Sequence, residues 1–500
     1  MNAFTQNNTG NSKQVTKGRG LLLLLVLLSL LAGLQAATQF FAFNVNYHAA
    51  LGPNLNHFYT PWSILLWAGQ WYNQYPEPFM KAAGIGMLAT LVGLLLAFLV
   101  RTLISNSASA NATLHGSARW ATKKDIEQAG LLPPNKKSKN ANKGKDKKEP
   151  DPFVYVGGFE DKDGTFYYLR HSGPEHILTY APTRSGKGVG LVVPTLLSWH
   201  KSAVITDLKG ELWALTAGWR QQHAKNKVLR FEPASPDKGV VRWNPLDEIR
   251  FDEGTGLFNV GDVQNLATLI VDPDGKGLDS HWQKTAFALL VGVILHVLYL
   301  KKSGQAQFAN LATVDGLLSS PDGTPDDLWE AMINNSHNNG LRNDIVAAAG
   351  QDMKSRPKEE GGSVLSTAKS YLALYRDPII EKNIKVSDFL IKDLMHHEHP
   401  VSLYIVTQPN DKARLRPLVR ILVNMIIRLL ADKMDFDKGR PVAHYKHRLL
   451  MMLDEFPSLG KLEIMQESLA FVAGYGIKCY LICQDLNQLK SRETGYGQDE

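Results

Sequence analysis

From Leu21 to Pro76 the chain carries no Asp, Glu, Lys or Arg, and the stretch opens with the near-continuous apolar run Leu21–Leu34. Such a run belongs in lipid. Continued as a helix through Ala36, Ala37 and Phe40 to Phe43 it reaches about 20 residues, the length that a hydrocarbon core of roughly 30 Å requires. Ala82–Val100 is a second uncharged stretch, of nineteen residues, closed by Lys81 and Arg101. At about 1.5 Å per residue it also spans. The first run has a competing reading as a signal peptide, because Lys13, Lys17 and Arg19 form a basic n-region and Leu34-Gln35-Ala36 is loosely like a cleavage site. The second has none. Lys and Arg are retained on the cytoplasmic side while the loop Asn44–Phe79 carries neither, so residues 1–105 are expected to form an N-in, C-in membrane hairpin. Its outer loop, with Tyr59, Trp62, Trp67, Trp71 and Tyr72, either lies at the outer interface or forms a small packed cap.

The rest of the 500 residues is globular in composition: 44% apolar and 21% charged residues bury a proper core and exclude a disordered, collagen-like or disulfide-stapled chain. Cys479 and Cys483 share one apolar run and read as core packing in a reducing compartment. The net charge of +7 invites a nucleic-acid partner until the lysines are located: Lys136, Lys137, Lys139, Lys143, Lys145, Lys147 and Lys148 fall in one short segment. Overall basicity is therefore weak evidence for DNA binding. Residues 106–152 read as a connector, with a short helix capped by Thr122 whose apolar face is Ile126 and Leu131 or Leu132. Pro133–Asp151 follows as a solvated linker or insertion, or else as a phosphate-binding tail.

Beyond it, Phe153–Gly157, Phe166–Arg170, His176–Tyr180, Ser202–Thr206 and Lys227–Phe231 are strand-like. From about Leu257 to Leu390 the periods are helical, which predicts an all-helical insertion. Ala286–Leu300 is apolar enough to suggest a third span, but it is short and contains His296, so a buried core helix is expected. Strand signals return at Val401–Thr407, Leu449–Leu453 and Lys478–Cys483, separated by helical stretches at Leu415–Leu430 and Leu462–Ala473. Strand alternating with helix means a parallel α/β sheet. Residues 153–256 and 391–500 are thus expected to form the two parts of one domain, interrupted by 257–390.

In HILTYAPTRSGKGVGLVVPT (His176–Thr195) an apolar strand runs into Thr183, Arg184, Ser185, Gly186, Lys187, Gly188 and Val189, and an apolar helix follows. A phosphate-binding loop needs this context, since backbone N–H groups and a helix N-terminus converge on phosphate while Lys187 reaches its outer oxygens. Ala181 and Gly188 depart from the general G-x-x-x-x-G-K-[S/T] rule, which leaves a plain Gly-rich strand-to-helix turn as the competing reading. Leu449–Leu453 then ends in Asp454 and Glu455, in the form in which Asp454 would hold Mg²⁺ and Glu455 would polarise an attacking water. Gln484, after the next strand, is placed to sense the γ-phosphate or orient water.

APTRSGKGVGLVVPT, DLKGE (Asp207–Glu211), WNPLD (Trp243–Asp247), His281-Trp282, YIVTQPNDKARLRPL and LDEFPSLGKLE resemble the coupling-protein ATPases of type IV secretion and conjugation, the TraG/TraD type. HGSARWAT after two spans is similar too. The resemblance covers roughly residues 80 to 500. It implies a RecA-like P-loop NTPase domain with an all-helical insertion, using ATP and Mg²⁺ and assembling as a homo-hexamer at the bacterial inner membrane. It also implies partners: relaxase-bound DNA or secreted effector proteins, handed to the channel of the secretion system. Related ring motors carry an arginine between the acidic pair and the sensor glutamine, but Phe456–Cys483 contains none; Arg414, Arg416 and Arg420 are candidates by proximity to a strand end. The chain stops 16 residues after Gln484, where such a sheet expects a further strand or two. The rivals are a chromosomal DNA translocase with the same motor, and a receptor platform that uses ATP as an assembly switch or not at all.

Overall fold

The two uncharged runs lie in the long helices α1 (Thr9–Asn44) and α3 (Pro76–Ala110), with the short helix α2 (Ser63–Trp71) between them. Leu24–Asn44 and Pro76–Val100 are long and apolar enough to cross a membrane. The pair approaches closely because the facing positions are small. A Cβ on Gly33 would overlap Thr90 Oγ1, and one on Gly86 would stand 2.9 Å from the Ala37 methyl. Small residues are the usual means by which spanning helices meet, since lipid offers no hydrophobic gain for larger ones. The outer loop is a packed cap. Phe41 stacks on Phe79 at 4.1 Å, Tyr59 stands edge-on to Trp67 at 4.9 Å, and Trp67 Nε1 donates to the Leu51 carbonyl (3.2 Å). Trp62, Leu65 and Leu66 stay exposed on its other side.

This unit, Met1–Trp120, is compact by itself, as is Ala121–Glu500. The computed structural model describes residues 9–110, 119–132, 151–320, 323–337, 340–432, 435–437, 440–442, 444–491 and 496–497. The lysine-rich segment and residues 115–118 of the connector lie outside them.

In the second unit, α4 (Lys123–Gln128) opens with the expected Thr122 cap, whose hydroxyl accepts from Asp125 N while the Asp125 carboxylate accepts from Thr122 N. β1 (Val154–Glu160) and β2 (Phe166–His171) then pair antiparallel, apart from the main sheet. No helix separates them, and without a crossover a tight connection permits only the antiparallel arrangement. The main sheet begins with β3 (Ile177–Tyr180), β4 (Ser202–Leu208) and β5 (Lys227–Phe231). Helices α5 (Val193–Ser198) and α6 (Glu211–Gln222) connect its first strands.

After a small ribbon, β6 (Phe251–Asp252) and β7 (Leu257–Phe258), every element from Val260 to Ile384 among the described residues is helical. These are α7 (Val260–Val271), α8 (His281–Lys302), α9 (Leu311–Leu318), α10 (Pro325–Asn334), α11 (Asp344–Ser355), α12 (Lys358–Leu372) and α13 (Pro378–Ile384). The stretch Gln351–Gly362 is helical on both sides of a break at Arg356-Pro357. Proline disfavours helix at the residue before it and is tolerated at a helix start. α8 runs to 22 residues and, against the expectation that it is too short, is also long and apolar enough to cross a membrane, but Leu289 through Tyr299 are buried in one continuous core, as the core-helix reading expects.

Within α8 the buried His296 meets the buried His337, Nδ1 to Nε2, at 2.6 Å. Burial, reinforced by the neighbouring imidazole, holds His296 down to about 4 from its ordinary 6.5, and burial lowers His337 as well. The unfolded chain therefore binds more protons than the folded one below pH 6.5, and stability falls as pH drops from 6.5 towards 4. The His296 contribution is on the order of 3 kcal/mol. Protection of the α8 amides, taken as the ratio of intrinsic to measured exchange rate at each pH between about 7.5 and 4.5, is expected to fall through this window in the native chain and to fall less in His296→Gln.

The chain returns to the sheet through α14 (Asp393–His396) and β8 (Val401–Thr407), followed by α15 (Lys412–Leu430) and a ribbon, β9 (Asp435–Asp437) with β10 (Arg440–Val442). β11 (Leu449–Leu453), α16 (Glu463–Ser468), β12 (Ile477–Cys483) and α17 (Asn487–Lys490) complete the described elements. The helix expected over Leu462–Ala473 is only the six residues of α16. Glycines at 474 and 476 let the chain turn back into β12, with Gly476 at φ +81 and its carbonyl bonded to Leu449 N (3.0 Å).

The six strands are all parallel, in the order β3-β12-β11-β4-β8-β5. β8, β11 and β12 are buried along their whole length, which is why they read as continuous apolar runs rather than alternating ones. This is the α/β class expected, and its register decides the site. Leu453 lies opposite Leu481 on β12 and Thr206 on β4, and Cys483 lies opposite Tyr180 on β3. The residues that follow these strand ends are thereby gathered at one edge, where open parallel sheets bind ligands.

Candidate functional site

β3 is prolonged by one bond, Ala181 N to the Cys483 carbonyl (2.8 Å), before the chain leaves the sheet. The loop then folds back on itself: Ser185 N donates to Pro182 O (3.1 Å) and Gly190 N to Gly186 O (2.8 Å). Arg184 and Gly186 adopt φ of +63° and +83°. Thr183, Arg184, Ser185 and Gly186 are exposed, and so is Val189, whose side chain packs on nothing that would fix a role for it. Gly188 begins a single π turn, Gly188–Val192, that runs directly into α5. Side chains built at Gly186, Gly188 or Gly190 would meet no atom within 4 Å, so the face of the loop is open to an incoming anion.

Lys187 is half-buried and reaches across to the end of β11. Its Nζ stands 3.0 Å from Asp454 Oδ1 and 3.0 Å from Glu455 Oε1. Burial opposes the ammonium charge, but the two carboxylates outweigh it and hold the lysine above its ordinary value. Glu455 is pushed up by burial and pulled down further by the amide of Gln484 and by Lys187, so it lies below the usual carboxylate range. Gln484 Nε2 donates to both Glu455 oxygens (3.0 and 3.1 Å), and Thr183 Oγ1 donates to Gln484 Oε1 (3.4 Å). Lys187, Asp454, Glu455, Gln484 and Thr183 thus form one hydrogen-bonded group, drawn from three strand ends.

Glu455 has φ +54, a left-handed conformation that costs a non-glycine residue about 1–3 kcal/mol and persists where the surroundings over-determine it. Thr206 Oγ1 helps by donating to the Asp454 carbonyl (3.0 Å), a role that no motif signalled. Its only marker in the sequence is its place as a hydroxyl at the end of an apolar strand. Gln488 was missed for the same reason; its Oε1 accepts from Gln484 N (2.9 Å). Asp207 accepts from Trp213 N (2.7 Å) at the start of α6.

The arginine candidates separate. Arg414 is paired with Asp377 (2.7 Å) and Asp411 (2.8 Å), and Arg416 with Asp274 (2.7 Å). Arg420 is buried and donates to the Leu459 carbonyl (2.7 Å), so it is enclosed within its own chain.

The donor set fits a nucleoside triphosphate with its divalent cation. An open glycine-rich loop faces the start of a helix, one ammonium is available for phosphate, and one carboxylate beside it is available for a metal.

Residues 119–500 match the family model described as type IV secretory system conjugative DNA transfer. The conjugal transfer protein TraG of Escherichia coli is 70% identical over 472 residues, covering 94% of this chain and 73% of that protein. The VirD4 protein of Rhizobium rhizogenes is 26% identical over 484 residues, covering 96% of this chain and 64% of its own. Among solved structures, the plasmid coupling protein TrwB in complex with the non-hydrolysable ATP analogue ADPNP is similar at 20% identity and a TM-score of 0.46, covering 64% of this chain and 66% of that one. The chain belongs to the type IV secretory system conjugative DNA transfer family.

Proposed function

We propose that this chain is the coupling ATPase of a conjugation or type IV secretion system, anchored in the bacterial inner membrane by its two N-terminal helices. The observation that carries the reading is the convergence of Lys187, Asp454, Glu455 and Gln484 beside an open glycine-rich loop, at the carboxyl edge of a parallel sheet. The backbone of Thr183–Val189 would cradle the phosphates of ATP. Lys187 would neutralise charge developing on the outer phosphate, Glu455 would polarise the attacking water, and Gln484 would hold the Glu455 carboxylate and sense the phosphate. Asp454 would hold Mg²⁺, which when bound supplies charge neutralisation at the phosphate oxygens.

The ammonium of Lys187 contacts both Asp454 and Glu455, the two carboxylates these roles require it to release. Phosphate arriving in the loop offers it a better partner, so substrate binding would free Glu455 for water and Asp454 for the cation. The chain on this reading is a homo-hexameric motor with an N-in, C-in hairpin and its bulk in the cytoplasm. Residues 153–256 and 391–500 form the nucleotide-binding domain around the insertion 257–390, which is helical from Val260 onward and opens with the strand β7 rather than being helical throughout. It receives relaxase-bound DNA or effector proteins and delivers them to the secretion channel.

The test is steady-state ATP hydrolysis by the detergent-solubilised protein with and without single-stranded and double-stranded DNA. Hydrolysis stimulated by DNA is the expected result. ATP binding with no turnover under any condition would contradict the motor and favour a receptor that uses ATP as an assembly switch.

A further inference from the structure

The segment leaving Glu455 is held from outside the nucleotide site. Ser458 N donates to Glu455 O (2.7 Å) to close the turn Phe456–Leu459, and the Leu459 carbonyl accepts from the buried Arg420 of α15 (2.7 Å). The next residues meet the loop between α7 and α8. A Cβ at Gly275 would overlap the Lys461 carbonyl oxygen and come within 3.0 Å of Arg420 Nη2. That loop is stiff: the Asp272 carboxylate accepts from Lys276 N (2.9 Å) and Gly277 N (2.8 Å), and Gly275 sits at φ +71. It is tied to α15 a second time by Arg416 Nη2 to Asp274 Oδ1 (2.7 Å). Arg416 lies one helical turn before Arg420, and it lines a small cleft together with Asp454, Thr206 and Ser458.

From this contact we infer that Asp274, Gly275 and Arg416 are positioning residues for nucleotide hydrolysis, through which the α7–α8 loop of the helical insertion sets the seat of Glu455. The inference rests on the nucleotide-hydrolysing reading above. Its physical basis is the left-handed backbone of Glu455, which holds only while its neighbours leave it no easier conformation. Upstream that constraint comes from β11 and Thr206. Downstream it comes from the turn that Arg420 and the Gly275 loop clamp. A glycine is needed at 275 both for its positive φ and because a side chain would push the Lys461 carbonyl away. Exposed ion pairs contribute little to stability, so the Asp274–Arg416 pair should register in turnover rather than in melting. A ligand that displaces the α7–α8 loop would then change the hydrolysis rate without touching the nucleotide.

The test uses the full chain in detergent with MgATP. Asp274→Asn and Arg416→Gln are each expected to lower kcat about tenfold while the nucleotide KM stays within about twofold, the range for residues that modulate a site from outside it. The double variant is expected to be no worse than either single, because both act through one contact. Gly275→Ala should behave alike where it folds, and where it does not, Asp274→Asn decides. Wild-type kcat in Asp274→Asn, or losses that multiply in the double variant, would overturn the inference; the first outcome with a defective Arg416→Gln would make Arg416 a direct phosphate ligand instead. Hydrolysis unaffected by Lys187→Ala would bring down the nucleotide reading itself and this inference with it.

Discussion

Lys187→Ala is expected to insert and fold but to lose ATP turnover by about two to three orders of magnitude, the cost of removing one preorganised group aimed at developing charge. The size of the effect follows from where the ammonium sits. It is half-buried and 3.0 Å from each of two carboxylates. Its loss acts twice. Phosphate arriving in the loop finds backbone N–H groups but no mobile charge, and Glu455 loses one of the partners that hold its carboxyl below the usual range. A higher Glu455 pKa in the free protein would shift the residual kcat/KM, which reports groups of the free enzyme, towards alkaline pH, because the carboxylate form is the one that can accept a proton. A pH–rate profile of the variant beside the native chain checks both parts. Native turnover in Lys187→Ala would remove the loop as the phosphate site.

That variant is expected to keep its fold because the sheet does not depend on Lys187. Its six strands pair through backbone bonds, and their side chains make up two buried clusters on opposite faces, with Lys187 in neither. The site lies at the edge, beyond the last strand residues, and can be emptied of charge without opening the core.

Much of this was legible from the sequence, for a physical reason. Buried parallel strands must be apolar on both faces, so LLMML and KCYLIC announce themselves, and a polar residue directly after such a run has to lie at a strand end. Asp454, Glu455 and Gln484 stand out in that way, and Lys187 by the strand–loop–helix pattern around it, and the fold brings the four side chains together. What stayed hidden is whatever depends on which strands are neighbours. That β12 separates β3 from β11, and so carries Gln484 to Glu455 and Thr183, is a matter of register between segments about three hundred residues apart in the case of β3 and β12. No local period encodes it. Lys478 makes the same point within one strand. A lysine reads as an exposed strand end, yet it is fully buried, donating to His171 Nδ1 (2.7 Å) and to the carbonyls of Gly173 (2.8 Å) and Glu175 (2.7 Å). Burial pushes it down to about 8. The α7–α8 loop was equally invisible, since Asp272 to Ser280 reads as an ordinary polar turn until Lys461 and Arg416 are seen against it.

Glu455→Gln should separate binding from chemistry more cleanly than any other substitution in the site. The glutamine keeps the size of the side chain, and one amide oxygen remains to accept from Gln484 and Lys187, which now bond the two carboxylate oxygens. The left-handed backbone at φ +54 is held by the turn beyond it and by Thr206, neither of which the substitution touches. Lys187 keeps Asp454 at 3.0 Å. What the amide cannot do is take a proton from water. Nucleotide affinity is therefore expected to stay within about threefold of the native value while the hydrolysis step slows by about 10³-fold, within the range for loss of a general base. Equilibrium binding of a fluorescent ATP analogue and single-turnover hydrolysis, measured on the same preparation, check the two halves. Equal loss of binding and turnover would mean that Glu455 holds the loop in place rather than acting on water. Turnover near the native rate would pass the water-polarising role to another group, and Asp454, 3.0 Å from the same ammonium, would then have to serve both the metal and the water. One carboxylate cannot accept a proton while committed to a cation, so that outcome would also argue against the metal at Asp454.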